Sequence, residues 1–287
     1  MQDSTTKAMT MHFSFLTLFP QLIKGYFADS ILKNAIQNGL ISVEAIQIRE
    51  FATNAYKSVD MPQIGGGAGQ VISYEVLSRA ISSLQTNSLR ESNISTATTK
   101  TALLDSAPHI IFLTPCAKSF TQQDAKRLAK KSHIAFVCGR YEGIDERAIE
   151  AYANEVFCVG DFILTGGELA ALCLCDSIAR NLKGVLGNSE SLQGESFENH
   201  LLEAPVFARH IKEGKPQKPT LDTKSKCVDS TFLMKNNQNF INFCAPSVYS
   251  KGNHSRINAL KNDLAVCKTQ YFRPDLFTQW KLHNQKP

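Results

Sequence analysis

Apolar and polar positions along the first two thirds of the chain fall into blocks that predict alternating strands and helices. The strand-like runs are short and almost wholly apolar, which is typical of strands buried on both faces of a parallel sheet. They cover residues 13–19, 40–48, 109–113, 134–138 and 155–159. Helix-like stretches lie between them, at residues 20–38, up to about residue 84, at 121–131 and at about 168–182. This order predicts an α/β layer with a mainly parallel sheet.

Polar segments interrupt this layer and separate it from the last third of the chain. Residues 86–101 are rich in Ser, Thr and Asn and predict a mobile insertion. We predict a first domain over residues 1–186, a linker at 187–194 and a second domain at 195–287. The second domain is predicted to be small and helical, with a loop-like insertion at about 214–245.

Composition narrows the class of protein. The chain has 287 residues and is 43% hydrophobic, which excludes a disordered or fibrous protein. No stretch reaches the roughly 18 apolar residues of a membrane span, and the N-terminus lacks the features of a secretory signal. We therefore expect a cytoplasmic protein with no membrane segment. The eight cysteines form no CxxC pair and mostly lie in apolar runs, so we predict buried thiols rather than disulfides or a zinc site.

The positive charge is concentrated in the last third of the chain. Residues 1–187 hold 17 Lys and Arg against 17 Asp and Glu, whereas residues 188–287 hold 14 against 9. The net charge of +5 therefore arises entirely from the second region. A cationic surface there favours a polyanion such as nucleic acid, although a solvated basic face without a partner explains the charge equally well.

A glycine cluster, DMPQIGGGAGQ, occupies residues 60–70. It lacks the GKS or GKT ending of a phosphate-binding P-loop, and no predicted strand runs directly into it as the dinucleotide fingerprint requires. Its glycines permit positive φ and close approach of the backbone. From the local sequence alone, a plain flexible loop is as good an interpretation as a functional one.

Three further turns each follow an apolar strand: FLTPCAK (112–118), CGRYEGIDER (138–147) and VGDFILTGGELA (159–170). In open parallel sheets, ligands bind beyond the carboxyl ends of the strands, so we expect these turns to surround one pocket. Their small residues expose backbone N–H and C=O groups. Such groups suit a flat, polar, uncharged ring such as adenine better than a phosphate chain.

Together these turns resemble those of the bacterial tRNA (guanine-N1)-methyltransferases of the TrmD type. The resemblance runs from about residue 11 to residue 276, and GRYEGIDER and GDFILTGGEL are its most specific motifs. The others occur in the family's order: FLTLFP, SILKNAIQNGL, VD followed by GGGAG, FLTP, DSIAR, GVLGNSES, ESFENHLLEAP, and PSVYSKGNH with RPDLF.

The resemblance implies a SPOUT-type α/β fold with a deep trefoil knot and a homodimer whose active sites are shared between subunits. It also implies that S-adenosylmethionine binds in a bent shape among the knot loops. Carried over position by position, the cofactor-binding residues are Leu113, Thr114, Pro115, Gly139, Ile144, Phe162, Leu164, Gly166 and Gly167.

The implied reaction is methyl transfer to N1 of guanine 37 of tRNA, next to the anticodon. Guanine N1 carries a proton at neutral pH, so a carboxylate must remove it and a cation must stabilise the charge that moves to O6. The resemblance assigns the base to Glu195, where the family commonly has aspartate, and the cation to Arg180. Glu142 is expected to face the reactive end of the cofactor, and Mg²⁺ to support the reaction.

Other residues of these motifs have more ordinary predicted roles. Arg140 and Tyr141 are expected to fix their turn, and Asp145 and Glu146 to cap the following helix. A stretch that is more acidic and aromatic in the family reads Met61-Pro62-Gln63 here. An inactive tRNA-binding homologue is the main alternative function, and a SPOUT methylase acting on ribose or ribosomal RNA is disfavoured by the motifs. Candidate tRNA contacts in the basic region are Lys251, His254, Arg256, Lys261 and Arg273.

Overall fold

A computed structural model describes residues 10–91, 107–188, 194–208, 246–250 and 252–284. The chain divides into two compact units, residues 1–193 and 194–287. The division falls at the end of the segment that the sequence predicts to be a linker. The predicted insertion at 214–245 and most of that at 86–101 lie outside the described residues.

The first unit is built on a five-stranded parallel sheet. Its strands in chain order are β1 (Met11–Thr17), β2 (Ile41–Gln47), β5 (His109–Leu113), β6 (His133–Cys138) and β7 (Glu155–Phe157). Their order in space is β2-β1-β6-β5-β7, and every neighbouring pair is parallel. The predicted strands are all present, displaced by at most two residues at either end. Near-continuous apolar runs give this signal because the central strands are covered on both faces.

Helices cover both faces of this sheet. One core joins β1 and β6 to α1 (Pro20–Tyr26), α2 (Ser30–Gln37), α4 (Gln122–Leu128) and α6 (Gly167–Ala179). The other core packs α3 (Tyr74–Glu91) and α5 (Glu146–Tyr152) on the opposite face. The large side chains of Phe13, Phe15, Phe112 and Phe136 are completely buried between these layers.

The single helix predicted over residues 20–38 is wrong, because the structure has two helices there. Asp29 has an extended backbone, and its side chain accepts a hydrogen bond from the Ser30 amide at 2.7 Å. An aspartate that caps a helix in this way competes with a continuous helix through the same residues. Helix α3 shows the opposite error, since it extends to Glu91 and replaces the first part of the predicted mobile insertion.

The glycine cluster forms the loop of a small antiparallel hairpin rather than a plain loop. Its strands are β3 (Asp60–Pro62) and β4 (Gln70–Ile72), paired with Asp60 opposite Ile72. Four glycines of the loop, at positions 65, 66, 67 and 69, have φ between 81° and 127°. Glycine is favoured there because other residues avoid that region of backbone conformation.

The second unit is helical where it is described. Helix α7 (His254–Phe272) starts at Asn253, whose side chain accepts a hydrogen bond from the Arg256 amide. Pro274 then opens α8 (Pro274–Asn284), so the chain turns between the two helices. The buried hydroxyl of Thr269 on α7 accepts a 2.8 Å hydrogen bond from the Leu202 amide, which ties the preceding segment to this helix.

Candidate active site

The carboxyl ends of β5, β6 and β7 bring the predicted turns to one edge of the sheet, as parallel strands require. The closest approach is between Gly139, which follows β6, and Gly167, which starts α6. The Gly167 amide donates a 2.8 Å hydrogen bond to the Gly139 carbonyl. A Cβ on Gly167 would lie 2.8 Å from the Gly139 nitrogen, so only glycine fits there. Gly139 itself faces the Ile144 side chain and the Leu113 carbonyl, at 3.4 and 3.6 Å from its Cβ position.

Gly166 must be small for a different reason, which is contact with a side chain. A Cβ on Gly166 would lie 2.2 Å from Arg140 Nε and 2.6 Å from its Cζ. The guanidinium of Arg140 therefore lies directly against the backbone of Gly166. The dipeptide Gly166-Gly167 in one motif thus accommodates Arg140 and Gly139 of the other motif. This is the physical link between the two most specific segments of the sequence.

Arg140 belongs to a buried network that the sequence reasoning missed. Its Nε lies 2.9 Å from Glu168 Oε2, an ion pair without hydrogen-bond alignment, and its Nη1 donates to the Thr165 carbonyl at 2.9 Å. Glu168 Oε1 accepts a 2.7 Å hydrogen bond from the Thr17 hydroxyl at the end of β1. The signal in the sequence was an acid directly before the apolar run at residues 169–175 of α6. The structure buries this acid, since the Glu168 side chain is only 3% exposed.

The same network affects a buried thiol. Burial raises the pKa of Cys138 well above its usual value, and the nearby Glu168 carboxylate raises it further. Cys138 therefore stays protonated. Among the described cysteines, 138, 158 and 175 are buried as predicted, whereas 116, 173 and 267 are exposed, and all six are free thiols. The expectation of generally buried cysteines is therefore wrong for these three.

The glycine hairpin is joined to the turn that carries Glu142. Glu142 N donates to the Gln70 carbonyl, and Ile72 N donates to the Gly143 carbonyl, both at 3.0 Å. The exposed Glu142 side chain lies over Gly69, where a Cβ would be 2.3 Å from Glu142 Cγ. The hairpin therefore fixes the position of this acid, which the sequence alone did not suggest.

Tyr141 of the same turn has the left-handed backbone conformation, with φ of 59°. Its hydroxyl accepts a 3.3 Å hydrogen bond from Arg49 Nη2. A non-glycine residue in this conformation costs about 1 kcal/mol or more, and such residues are concentrated at functional sites. Hydrogen bonds therefore hold the turn at the Tyr141 hydroxyl and at the neighbouring Glu142 amide.

The remaining predicted cofactor residues are less closely grouped. Thr114 donates its amide to the Phe157 carbonyl at 3.2 Å, and Pro115 is exposed. Phe162 and Leu164 line an apolar cavity of about 300 Å³. The other seven predicted cofactor-binding residues are not part of its lining. A larger cavity of about 560 Å³ lies at the edge strand β2 and contains none of the nine. The structure thus gathers Leu113, Gly139, Ile144, Gly166 and Gly167 and places two others in a separate hydrophobic recess.

Arg180 and Glu195 belong to different units. Arg180 caps the carboxyl end of α6 and is half-buried, with its amide donating to the Asp176 carbonyl at 3.0 Å. Glu195 is half-buried in the second unit. Two other acids close to Glu195 in the sequence, Glu190 and Glu198, are alternative candidates for the base. Glu198 accepts a 2.8 Å hydrogen bond from the Gly194 amide and so has a local structural role. Glu190 lies outside the described residues.

The segment after Glu195 has an unusual backbone. Phe197, Asn199 and His200 all have φ between 53° and 74°, the left-handed region that favours glycine. Each such residue costs on the order of 1 kcal/mol or more. The Phe197 amide donates to the Leu201 carbonyl at 2.7 Å, which closes the turn. The segment that follows the candidate base is therefore tightly curled.

The candidate tRNA contacts do not form one surface. Lys251 lies outside the described residues, whereas His254, Arg256 and Lys261 are exposed on α7. His254 and Lys261 are seven residues apart and share a face of the helix, but Arg256 is rotated by about 200° from His254. Arg273 forms a two-point ion pair with Asp275 at 2.6 and 2.9 Å, so part of its charge is already neutralised.

Two functional features are absent from the described part of the chain. No group of three or more His, Cys, Asp or Glu side chains within it could hold a metal ion. None of its helices is both long enough and apolar enough to cross a membrane.

Comparison with known proteins decides the family. The family model for tRNA (Guanine-1)-methyltransferase TrmD matches residues 11–225. The chain belongs to this family. A tRNA (guanine-N(1)-)-methyltransferase of Helicobacter hepaticus is 53% identical over 272 residues, 95% of either chain. One of Wolinella succinogenes is 51% identical over 273 residues, 95% of this chain and 97% of the relative.

A solved structure supports the same assignment. The crystal structure of tRNA (m1G37) methyltransferase from Aquifex aeolicus superposes with a TM-score of 0.55 at 30% identity. The match covers 70% of this chain and 76% of that one. The predicted α/β fold with a mainly parallel sheet is confirmed, and so is the family that the motifs indicated.

Proposed function

We propose that this protein is a tRNA (guanine-N1)-methyltransferase that transfers a methyl group from S-adenosylmethionine to N1 of guanine 37. The observation that carries the proposal is the interlocking of Gly139 and Arg140 with Gly167 and Gly166 in a member of the TrmD family. These two motifs are the most specific ones in the sequence, and the contacts between them explain why each residue is needed. Relatives about half identical over nearly the whole chain share this activity by name.

The residues of the turns fit S-adenosylmethionine. Gly139 and Gly166 leave partly exposed backbone at the carboxyl edge of the sheet, and the Ile144 side chain lies beside Gly139. Gly167 is buried against Gly139. Backbone amides and carbonyls suit the adenine ring, and apolar side chains suit its faces. When bound, the cofactor supplies a methyl group activated by the positive sulfur. We assign it to this edge, within a trefoil-knotted SPOUT fold.

The chain's own residues would prepare the guanine. Glu195 takes the N1 proton, because a carboxylate is the available base in the segment that opens the second unit. Arg180 stabilises the negative charge that moves to O6, since a guanidinium donates hydrogen bonds to an oxyanion without losing a proton. Glu142, whose exposed side chain lies over Gly69, is assigned to the reactive end of the cofactor and the target guanine.

The function is tested by incubating the full chain with labelled S-adenosylmethionine and an unmodified tRNA transcript carrying guanine at positions 36 and 37. Mass mapping should place one methyl group on N1 of guanine 37. A chain that binds tRNA but transfers no methyl group is the inactive homologue. A methyl group on ribose would place the protein among other SPOUT methylases.

The base is tested by single-turnover methylation with saturating cofactor. Glu195→Gln should lower the rate by about a hundredfold or more, which is the usual scale for loss of a general base. Glu195→Asp should retain substantial activity, because the two carboxyls have similar pKa values and differ mainly in reach. A near-normal rate for Glu195→Gln would exclude this residue and direct attention to Glu142.

A homodimer is supported by apolar side chains exposed on neighbouring helices. Leu22 and Tyr26 on α1 are 53% and 44% exposed, and Leu169 on α6 is 57% exposed. Tyr26 also donates a hydrogen bond to Asp176 on α6, which holds the two helices together. Sedimentation at micromolar concentration should give about 63 kDa, twice the 31.7 kDa of one chain. A stable, active monomer would contradict this.

Binding of tRNA by the basic second unit is tested by salt dependence. Each lost phosphate contact reduces the slope of log affinity against log salt by about one unit. Charge-neutral replacement of Lys251, Arg256 and Lys261 together should therefore flatten the slope, and Arg273 should contribute less because of Asp275. An unchanged slope would leave only a solvated basic face.

Two further expectations stay predictions. The first is that Mg²⁺ supports the reaction. A cytoplasmic location agrees with a tRNA substrate. Loss of activity on chelation, restored by added Mg²⁺, would establish the requirement for Mg²⁺.

A further inference from the structure

One guanidinium holds two turns of the site together at four points. Arg140 follows β6, and it contacts the Glu168 carboxylate and the Thr165 carbonyl, both at 2.9 Å, in the loop and helix that follow β7. Its Cζ lies 4.5 Å from the centre of the Phe19 ring, while the backbone of Gly166 lies against its Nε and Cζ. The guanidinium is therefore confined by groups from two other segments, residues 165–168 and the residue Phe19 after β1.

The acid of this pair is confined as well. Glu168 Oε1 accepts the Thr17 hydroxyl at 2.7 Å, and Thr17 Oγ1 in turn accepts the Phe19 amide at 2.9 Å. Because Phe19 packs against Arg140, the contacts form a closed ring through β1, the turn after β6 and the start of α6. The Glu168 side chain is 3% exposed and that of Arg140 is 19% exposed.

Stability alone is a poor explanation for such a pair. Removing two charges from water has a large unfavourable free energy, and apolar residues of similar volume are often as stabilising or more so. An ion pair with few alternative partners does, however, fix distances, because neither group can move without leaving the other buried and unpaired. This property matters where a ligand must fit between two loops.

We propose that Arg140 and Glu168 are positioning residues that set the gap between the turn after β6 and the loop before α6, the two segments to which we assign S-adenosylmethionine. The proposal rests on that assignment. Neither side chain needs to touch the cofactor. The ring of contacts acts by restricting the backbone of Gly139 and Gly166 to a single arrangement.

Binding of S-adenosylmethionine to the full-length chain, measured by calorimetry, tests the idea. Arg140→Gln and Glu168→Gln should each weaken binding by about tenfold to a hundredfold, the scale expected when supporting groups shift a site by about 1 Å. Turnover at saturating cofactor should fall by less than about threefold, because the guanine-activating groups are elsewhere. Thr17→Val, which removes only one hydroxyl from the ring, should weaken binding by a smaller factor.

The double variant Arg140→Met with Glu168→Leu separates positioning from stability. It removes both charges, so its urea midpoint should return to that of the wild type or exceed it. If the pair positions the loops, cofactor affinity stays reduced despite the restored stability. Recovery of affinity to within about twofold of the wild type would overturn the proposal, as would single variants that fold and bind normally.

Arg147→Gln is the matched control. Arg147 forms a 2.6 Å ion pair with Asp145 in the same motif, but its side chain is 61% exposed and it reaches neither loop. It should leave cofactor affinity unchanged. Wild-type protein in the same experiments keeps the two hypotheses apart: failure of the wild type to bind S-adenosylmethionine contradicts the proposed function, whereas normal binding by wild type and variants contradicts only the positioning role.

Discussion

The two ends of the central sheet both carry polar side chains, but these are connected in different ways. At the carboxyl end, Thr17, Arg140 and Glu168 join segments that are distant in sequence, and two glycines allow these segments to pack closely. At the amino end, polar side chains pair across neighbouring strands. His12 Nδ1 contacts Ser42 Oγ at 2.6 Å, and His133 Nε2 contacts Ser14 Oγ at 2.9 Å.

The two ends differ in the kind of side-chain contact that stabilises them. At the carboxyl end, the Arg140–Glu168 ion pair and its contacts with Thr17, Thr165 and Phe19 define one arrangement. The amino end depends on histidines. Burial, with a smaller contribution from nearby His12, lowers the pKa of His133 to about 4. The comparison suggests that one end is built for fixed geometry, and that the other contributes stability that varies with pH.

The largest effect is expected from adding one methyl group at the carboxyl end. Gly167→Ala places a Cβ 2.8 Å from the Gly139 nitrogen and 2.9 Å from the Cys138 Cα, and backbone atoms cannot move aside as a side chain can. Unfolding in urea should show a loss of about 3 kcal/mol or more. Gly25→Ala in α1 is the control: no atom lies within 4 Å of its Cβ position, so it should stabilise the protein by about 0.5 to 1 kcal/mol. An equal change in the free energy of unfolding for the two variants would contradict the close packing at Gly167.

The second effect concerns acid stability and belongs to the amino end. The unfolded chain protonates His133 near its ordinary pKa of 6.5, whereas the folded chain does so only near 4. Stability should therefore be complete above pH 6.5 and fall as pH decreases toward 4, by about 2 kcal/mol after allowance for partial exposure. His133→Gln, which keeps a donor for Ser14, should lose this component. His254→Gln on the exposed face of α7 should retain it in the same urea titrations.

The smallest effect is expected at the far edge of the amino end. Glu155 at the start of β7 accepts hydrogen bonds from Arg127 at 2.6 and 2.8 Å and contacts His109 at 2.7 Å. Burial raises the pKa of Glu155, but the hydrogen bonds outweigh this and lower it overall. Arg127→Gln should destabilise the protein by only about 0.5 to 1 kcal/mol at pH 7, because Arg127 is exposed. The loss should become smaller as pH falls below 4.5, because Glu155 then becomes protonated and the ion pair weakens in the wild type as well. Lys130→Gln, also exposed, serves as the control.

The relative size of the first and third effects tests whether the carboxyl end of the sheet is tightly packed. If Gly167→Ala proved milder than loss of the Arg127 ion pair, the carboxyl end would have room to adjust. Its glycines would then have to be explained by contact with the ligand rather than by contact between the turns. Measurement of both variants at one pH decides this directly.

Much of the fold could be predicted because its central elements are defined by local pattern. Each of the five parallel strands reads as an apolar run, since both faces are covered. The break between α1 and α2 was missed because Asp29 and Ser30 look like ordinary polar positions on an amphipathic helix. The hairpin around the glycine cluster was missed because its strands are only three residues long and carry no apolar alternation.

The family, the strands and the residues of the three turns could be predicted from the sequence, because motif spacing and hydrophobic pattern are local properties of the chain. Which turns touch each other depends on how the chain folds in space. The tertiary structure places Gly166 against Arg140, Gly69 against Glu142, and Glu168 between Arg140 and Thr17. The paired residues are 26 to 151 positions apart, and nothing in their neighbourhoods in sequence records the pairing. Parallel strands bring their carboxyl ends to one edge, and packing there selects which residues must be small and which charges must meet.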